Sequence, residues 1–442
     1  MRKLTLILLL LVAFNVTNAQ QTTPQRYNFS LNEAIEHALQ YNYTAINAGR
    51  DIEISKQKKW ETTANGLPQI NGIVDYQNAF KLQSNIIDFN GTPALLTFGA
   101  FNSMDSRLSL SQLIFDGSYI VALQASKAYL EFFQNAKKKT DSEIRAMVTN
   151  SYGNVLLAEE SIKVLERNQA VLEKNYSDLN QIYKNGLGEE ESVEQISITL
   201  ASVKSNLKNV IRLREISLNM LKINLGIEIN DELKLSENLD SLSKNNLQSV
   251  LESNEFNVTN SIDYQISSSL VTQKKLLLKL EKSKALPSLG ANVNFGYNTF
   301  GNTFSMFENN QKWFNYSNVG VRLNVPIFSS LGRNAKTQQA KIAYQKAQTQ
   351  LTETEQMLKL QFQKAKSDFD FSIEEYETAK SNLNLAERIE KKQQIKFKEG
   401  LSTSFEFSEA QRQLYANQQS YLQSMVDVIN KRAALEKITN KN

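Results

Sequence analysis

The chain repeats one ordered set of short sequence landmarks, once in each half. The matching segments are Leu67–Ile70 with Leu286–Leu289, Leu110–Phe115 with Leu323–Phe328, and Lys184–Leu187 with Lys398–Leu401. The numbering offsets between the copies are 219, 213 and 214, so the order and the spacing of the landmarks are both kept. A duplication of whole halves produces a pseudo-symmetric molecule. The sequence therefore predicts a repeated architecture rather than a single catalytic pocket.

Residues 1–19 have the pattern of an export signal peptide. Arg2 and Lys3 precede an apolar run from Leu4 to Phe14, and small residues ending at Ala19 favour cleavage there. An uncleaved anchor is the alternative, although the apolar run is short for a membrane span. No helix-length apolar segment follows it in the sequence. We therefore expect any insertion of the mature chain into a membrane to be made by strands.

The composition argues against several classes of function. The chain has no cysteine, which excludes disulfides, thiolate catalysis and a lipidated N-terminal cysteine. Its 50 basic and 46 acidic residues give a net charge of +4, too balanced to indicate a nucleic-acid partner. His37 is the only histidine, and we expect it on a helix surface rather than in a metal site. With no reactive constellation visible, the sequence predicts no enzyme activity and no cofactor.

The first repeat, residues 20–240, alternates between helical and strand patterns. Ser30 and Glu33 form a capping-box pattern at the start of a helix that we expect to continue to Asn65. Pro68 then marks the start of a strand. The other expected elements are a strand over 67–82, a loop over 83–100, a strand over 101–115 and a helical hairpin over 119–225. The long arm of this hairpin, residues 119–183, spans about 98 Å as a helix.

The second repeat, residues 262–442, predicts the same order of elements after a polar connector at residues 227–261. A helix from about Ile262 ends at Leu286, and Pro287 marks the start of a strand as Pro68 does in the first repeat. The other expected elements are strands over 286–304 and 313–328 and a helical hairpin over 331–439.

The predicted strands alternate apolar residues with small or polar ones, as Val293 and Phe295 alternate with Asn292 and Asn294. This pattern fits the half-buried sheet of a soluble sandwich, or a membrane barrel with lipid outside and water inside. The export signal, the strand length of about fourteen residues and the Asn, Gly, Ser and Arg side chains of the second face favour the barrel. Four strands cannot close a barrel, and lipid tolerates no open sheet edge. The sequence therefore predicts a homo-oligomer.

The doubled order of capped helix, Leu-Pro strand, loop, strand ending in Phe, very long helix, Gly-Leu turn and helix resembles the TolC-like outer-membrane efflux proteins. The resemblance covers about residues 28–439, and Ser30–Ile35 is among its clearest segments. It implies a mainly α-helical fold with membrane β-structure. A homotrimer would build a twelve-stranded β-barrel from four strands per chain, and a long α-helical periplasmic barrel would continue it.

The resemblance also implies the function and the partners. The protein would be a passive exit duct in the outer membrane of a Gram-negative bacterium, serving tripartite efflux or type I secretion. It would contact outer-membrane lipid, and it would receive substrates from an inner-membrane pump through a periplasmic adaptor. A second class of function, a periplasmic coiled-coil adaptor or scaffold without a pore, would use similar long helices. Two helical hairpins and four amphipathic strands favour the duct.

The resemblance places the two Gly-Leu turns, Gly186-Leu187 and Gly400-Leu401, at the periplasmic tip, where members of the family narrow to a gate and meet the adaptor. Glu406 and Glu409 match two gate aspartates of the best-known members. Three copies of each glutamate would form two acidic rings that attract cations. The alternative is that Glu406 forms a capping box with Thr403.

The chain departs from the family pattern at the tip. Family members latch the closed tip with a tyrosine and an arginine, at positions that Phe397 and Ser402 occupy here. Neither residue can make a charged latch, so the closed state must be held in another way or less firmly. In the first repeat, Glu189–Glu191 follow the turn and Ser192 stands where some relatives carry an acid. These glutamates are expected to be surface charges favoured by the helix dipole, with a gate role as the alternative.

Overall fold

The structure is a computed structural model, and it describes residues 25–89, 91–248 and 256–440. The expected signal peptide, residues 1–19, lies outside the described residues. The strands are β1 (Arg26–Phe29), β2 (Gln69–Asn78), β3 (Ser84–Phe89), β4 (Thr92–Thr97), β5 (Asn102–Asp116), β6 (Glu232–Leu235), β7 (Ser288–Gly301) and β8 (Phe314–Asn324). The α-helices are α1 (Leu31–Tyr41), α2 (Tyr43–Ala64), α3 (Gly117–Lys184), α4 (Glu190–Leu225), α5 (Leu239–Gln248), α6 (Ile262–Ser283), α7 (Gly332–Lys398) and α8 (Ser404–Thr439). Among the described residues, no helix combines the length and the apolar character that a membrane span requires.

The chain divides into two compact units, and each unit takes residues from both sequence repeats. The first unit is formed by residues 1–48, 137–261 and 356–442, as far as these are described, and the second by residues 49–136 and 262–355. Helices α2, α3 and α7 contribute residues to both units. The compact units therefore do not follow the two repeats.

The core of the first unit packs α1, the buried faces of the long helices and a short parallel pair of β1 with β6. Tyr152 on α3 is fully buried, and its hydroxyl group donates a 3.0 Å hydrogen bond to the carbonyl oxygen of Phe29. Val148 and Val155 on α3 pack in the same cluster as Val426 and Ile429 on α8. One apolar cluster therefore joins the beginning of the chain to both long helical hairpins.

The helix expected over residues 30–65 is two helices, because Asn42 interrupts it. The capping box of Ser30 and Glu33 at its start is confirmed. The side-chain oxygen of Asn42 accepts a 2.8 Å bond from the amide of Thr44, and its side-chain nitrogen donates a 2.8 Å bond to the carbonyl oxygen of Asn224. Asn42 thus caps α2 and attaches it to the end of α4. A single helix would leave Asn224 without this partner.

His37 belongs to the same junction. Its Nδ1 atom lies 3.1 Å from the carbonyl oxygen of Leu225, and its ring packs against Phe29 and Tyr41. Burial lowers its pKa, which favours the neutral form that can donate to this carbonyl. His37 thus lies on a helix, as expected, and its ring is a partly buried packing group.

The second unit contains a four-stranded antiparallel sheet in the order β2-β5-β7-β8. Pro68 and Pro287 each stand directly before the first residue of a strand, β2 or β7. The register places Ile70, Leu110, Val293 and Val319 in one row across all four strands.

The neighbouring row of this sheet, on the opposite face, is polar. It consists of Asn71, Ser109, Asn294 and Asn318. Because successive residues of a strand point to opposite faces, the sheet has one apolar face and one polar face. The alternation that the sequence predicted is therefore present in three dimensions.

The segment expected to be a loop at 83–100 contains a hairpin instead. Strands β3 and β4 pair antiparallel, with Ile86 opposite Leu95. Gly91 adopts a positive φ of 86°, and its amide donates a 2.7 Å hydrogen bond to the carboxylate of Asp88. The β-prone runs on each side of this turn form strands although Pro93, a residue that favours loops, lies in the second of them. The strand expected over 313–328 is also shorter, since β8 ends at Asn324, two residues before Pro326.

We predict that Gly226→Ala destabilises the protein. Gly226 ends α4 with a φ of 76°, and a Cβ atom there would lie 2.1 Å from the carbonyl oxygen of Tyr41. The strained backbone alone costs about 1 kcal/mol, and the clash adds to it. Thermal unfolding followed by circular dichroism should show a clear decrease in Tm. Gly49→Ala is the matched control, because no atom lies within 4 Å of its Cβ position on α2. An equal Tm for the two variants would contradict this account of the junction.

Candidate functional site

The two Gly-Leu turns have the same backbone hydrogen bonds. In the first repeat, the amide of Gly186 donates to the carbonyl oxygen of Tyr183 at 2.8 Å, and that of Leu187 donates to Ile182 at 3.1 Å. Gly400 and Leu401 repeat both bonds, to the residues three and five positions earlier. The two glycines have φ angles of 73° and 74°. Each long helix therefore ends in a Schellman motif, which requires the left-handed backbone that glycine adopts readily.

The second turn is followed by a complete capping box. The hydroxyl group of Thr403 accepts a 3.2 Å bond from the amide of Glu406, whose carboxylate accepts bonds from the Thr403 amide and the Ser402 hydroxyl group at 2.9 and 2.8 Å. These bonds, the one from the backbone of Thr403 above all, lower the pKa of Glu406. The capping alternative is thus realised, and Glu406 is ionised at neutral pH.

The other acidic residues near the turns have fewer contacts. Glu409 forms an ion pair with Arg412, and more than half of each side chain is exposed. In the first repeat, Glu189 stands at the cap position of α4, but its side chain makes no capping hydrogen bond. The two turns thus share their glycine geometry and differ in the helix starts that follow them.

Phe397 and Ser402 make contacts within their own hairpin. The ring of Phe397 stacks on that of Phe407, with centroids 5.3 Å apart and planes 15° apart. The hydroxyl group of Ser402 lies 3.2 Å from the side-chain oxygen of Gln393. At the two positions where the family resemblance suggested a charged latch, the chain has an aromatic stack at Phe397 and a serine hydroxyl group near Gln393 and Glu406. The sequence showed that the latch was missing but did not reveal the stack.

Phe407 also joins the two hairpins of the chain. Its side chain is 3% exposed and packs in a cluster with Leu172 on α3 and Ile196 on α4. Next to this apolar cluster in the sequence, the hydroxyl oxygens of Thr199 on α4 and Ser408 on α8 are 3.2 Å apart. The ends of the first and second hairpins are therefore held together by a small core of their own.

A cleft of about 570 Å³ lies between the two turns. Its apolar wall includes Leu179, Ile182 and Phe397, and its charged residues include Asp178 and Lys398. Its size is in the range of ordinary ligand pockets, and its lining combines an apolar wall with charged residues. The sequence indicated the turns but not this cleft, because Leu179 and Phe397 are 218 positions apart and only packing brings them to one wall.

A partly buried carboxyl group lies close to this site. Burial raises the pKa of Glu390 on α7, and the nearby Gln411 side chain and the charge of Lys398 oppose the shift less strongly. Gln411 on α8 is itself fully buried. Since a raised pKa favours the protonated form in the folded state, the contribution of Glu390 to stability decreases as the pH rises through that pKa. Nothing in the sequence distinguished Glu390 from the many exposed glutamates of α7.

Apart from the charged residues at the turns, the polar face of the sheet carries a group of charged residues. Arg107 on β5 forms ion pairs with Asp105 and, at 3.0 Å, with Asp75 on β2. Tyr316 on β8 donates a 2.7 Å hydrogen bond to Asp105. Its ring reaches β5 over Gly296, where a Cβ atom would lie 2.8 Å from that ring. The group leaves one net negative charge per chain on this face.

We predict that Phe407→Ala loosens the tip. Removing a fully buried phenylalanine side chain typically costs about 3–5 kcal/mol, and here it also removes the stack with Phe397. Limited proteolysis of the detergent-purified protein should cut faster near residues 184–190 and 398–404. Phe405→Ala is the matched control, because Phe405 is 62% exposed in the same helical turn region. Cleavage of both variants at the wild-type rate would show that the stack does not hold the tip.

The comparisons with known proteins agree with this geometry. Residues 277–441 match the sequence profile of the family described as outer membrane efflux protein. A search of curated protein sequences gives no significant match.

The fold is similar to that of several solved structures. For CusC, described in connection with transmembrane channel formation, the TM-score is 0.76 at 17% identity, covering 96% of this chain and 95% of that chain. For the CmeC outer membrane channel of Campylobacter jejuni, it is 0.73 at 17% identity, covering 92% and 85%. For the open state of the MtrE outer membrane channel of Neisseria gonorrhoeae, it is 0.73 at 16% identity, covering 92% and 88%.

The fold similarity extends over both repeats, whereas the profile match covers most of the second. The expected fold class, mainly helical and internally duplicated with four sheet strands per chain, is confirmed. The second repeat therefore matches the outer membrane efflux protein family, and the chain as a whole has the fold of these solved structures.

Proposed function

We propose that this protein is the outer-membrane exit duct of a tripartite efflux or type I secretion system. The observation that carries the proposal is the sheet of β2, β5, β7 and β8. Its apolar face is exposed, with Ile70, Val293 and Val319 in one row, and its other face is polar. In water such an apolar face would be expected to be covered. In a membrane it can face lipid while the polar face lines a water-filled pore.

The edges of the sheet support an assembly of several copies. Within the described residues, β2 and β8 pair on one side only. Their unpaired backbone groups cannot remain open in lipid. Because the four strands alternate in direction, β8 of one copy can pair antiparallel with β2 of the next. Two copies would supply eight strands and three would supply twelve, and the family resemblance implies the homotrimer.

The tip supports the proposed protein partners. The cleft between the two turns presents Ile182 and Phe397 beside the charged Asp178 and Lys398. An apolar wall with a charged rim is typical of a surface that receives another protein. We propose that a periplasmic adaptor docks there and connects the duct to an inner-membrane pump. The known structures with this fold include outer membrane channels of two bacteria.

The adaptor or scaffold without a pore is the weaker candidate. Such a protein would explain the long helices. It would also need a soluble β part that covers the apolar face of the sheet. The family whose profile residues 277–441 match is described as outer membrane efflux protein, which is a transport role. We therefore propose transport without catalysis as its activity.

We predict that the protein is recovered from the outer-membrane fraction as a detergent-resistant oligomer. On a gel this oligomer should convert to the single chain only after heating, because the barrel strands of several copies are hydrogen-bonded together. In planar bilayers the same preparation should conduct ions. Recovery in the soluble periplasmic fraction, or as a single chain in mild detergent, would contradict the duct and favour the scaffold.

We predict that Glu406→Gln combined with Glu409→Gln lowers cation selectivity. Three copies of each carboxylate would otherwise concentrate cations at the tip. The reversal potential in a potassium chloride gradient should move towards zero. The matched control is Glu190→Gln with Glu191→Gln, which removes the same charge next to the first turn. An unchanged reversal potential in the first variant, or an equal change in both, would contradict the acidic rings.

A further inference from the structure

The two hairpins of the sheet, β2 with β5 and β7 with β8, pair their strands in equivalent registers. The offset of 219 relates β2 to β7, and that of 213 relates β5 to β8. Under these offsets, the observed pair of Ile70 with Leu110 becomes Leu289 with Leu323, which is also observed. The pairs at both ends of the first hairpin, Gln69 with Ser111 and Asn78 with Asn102, likewise become observed pairs of the second. The duplication therefore extends to the pairing of individual residues.

The two hairpins meet where β5 pairs with β7. In this seam Leu110 lies opposite Val293, Ser109 opposite Asn294 and Leu108 opposite Phe295. The equivalents of β5 and β7 are β8 and β2, the two edges that have no second partner within the described residues. The chain thus contains one seam, formed by β5 and β7. The equivalent strands, β8 and β2, lie at the two edges of the sheet, where they could form a second seam with other copies.

We propose that β8 of one copy pairs with β2 of the next copy in the register of the β5–β7 seam. This inference rests on the proposed oligomeric duct and specifies the contact between its subunits. Applying the two offsets to the observed seam gives the pairs Val321 with Tyr76, Arg322 with Asp75 and Leu323 with Val74. The β5–β7 register is irregular between Leu113 and Phe115, and the pair beyond the equivalent irregularity is Phe328 with Ile70. The partner is a second copy of this chain.

The chemistry of the two edges fits this register. Val321, Leu323, Tyr76 and Val74 all lie on the apolar face, so the apolar surface continues across the seam. On the polar face, Arg322 meets Asp75, an opposite-charge pair of the kind that stabilises adjacent strands. Arg322 is exposed, and none of the ion pairs found among the described residues includes it.

Asp75 can accept a second cation. Its side chain remains 60% exposed while it pairs with Arg107 at 3.0 Å. A shift of one residue would bring side chains of opposite faces together. A shift of two residues would place Arg322 opposite Ile73 or Gln77 and lose the charge pair.

The exposure of two equivalent phenylalanines also supports the seam. Phe115 at the end of β5 is 42% exposed, because β7 covers it through Leu289. Its equivalent after β8, Phe328, is 81% exposed. The proposed seam places Ile70 of the next copy opposite Phe328. Phe115 is then less exposed because its strand partner belongs to the same chain, and Phe328 is more exposed because its partner belongs to the next copy.

Disulfide cross-linking can test the register, because the chain has no cysteine of its own. Leu323→Cys and Val74→Cys are introduced together, and outer membranes are oxidised and analysed on a denaturing, non-reducing gel. We expect covalent dimers and trimers, since directly opposed Cβ atoms lie within disulfide reach. Val321→Cys with Val74→Cys tests a shift by two residues and should cross-link far less. Leu110→Cys with Val293→Cys, the observed seam, should form a disulfide within one chain and migrate as a monomer.

The outcomes separate the register from the proposed function. A detergent-resistant oligomer in which Val321 cross-links to Val74 better than Leu323 does would overturn the register and leave the duct intact. An oligomer that cross-links at neither position would also overturn it. If no oligomer forms even without substitutions, the proposed function fails first. Preferential cross-linking of Leu323 to Val74, reversed by a reducing agent, would support the seam.

Discussion

The backbone hydrogen bonds at the edges of one small sheet determine how the rest of the molecule must be arranged. Strands β2 and β8 each have an unpaired edge within the described structure, and the sheet between them exposes an apolar face. Lipid can cover that face but cannot satisfy the edges. Only other strands can do so, and identical copies supply strands of the correct direction. The need for several copies thus follows from the hydrogen bonding of four strands rather than from the long helices.

In the proposed assembly, the duplication explains how a chain with so few strands could contribute to a closed wall. Equivalent strands share one register in both hairpins, and the seam between the hairpins shows how a third and a fourth hairpin can be added. The two copies also differ at the helical turns. Gly186 and Gly400 keep the same geometry, whereas only the second turn has a capping box with Glu406 and the stack of Phe397 on Phe407. This distribution fits the proposed function, in which the wall is repetitive and the tip recognises one partner.

Much of this architecture could be predicted from the sequence, and the failures have physical causes. The long helices and the four sheet strands follow from periodicity, because their patterns extend over many residues. The break at Asn42 could not be seen, since its side chain bonds to Asn224, far away in the sequence. A loop is expected where β3 and β4 form a hairpin, because their β-prone runs are short and the second contains Pro93. At the tip, the turn glycines were visible as local signals. The cleft and the raised pKa of Glu390 arise only when the two hairpins pack. The gate role of Glu406 and Glu409 stays a prediction, and the capping box shows a local role for Glu406 beside it.

The central claim is that the sheet of one chain is an incomplete segment of a wall that several copies close. Native mass spectrometry of the particle released from outer membranes in mild detergent tests this claim most directly. The account predicts a single dominant species with three times the mass of the mature chain, stable until the detergent is exchanged for a denaturing one. A dominant species with the mass of one chain, in detergent that keeps the sheet folded, would contradict it.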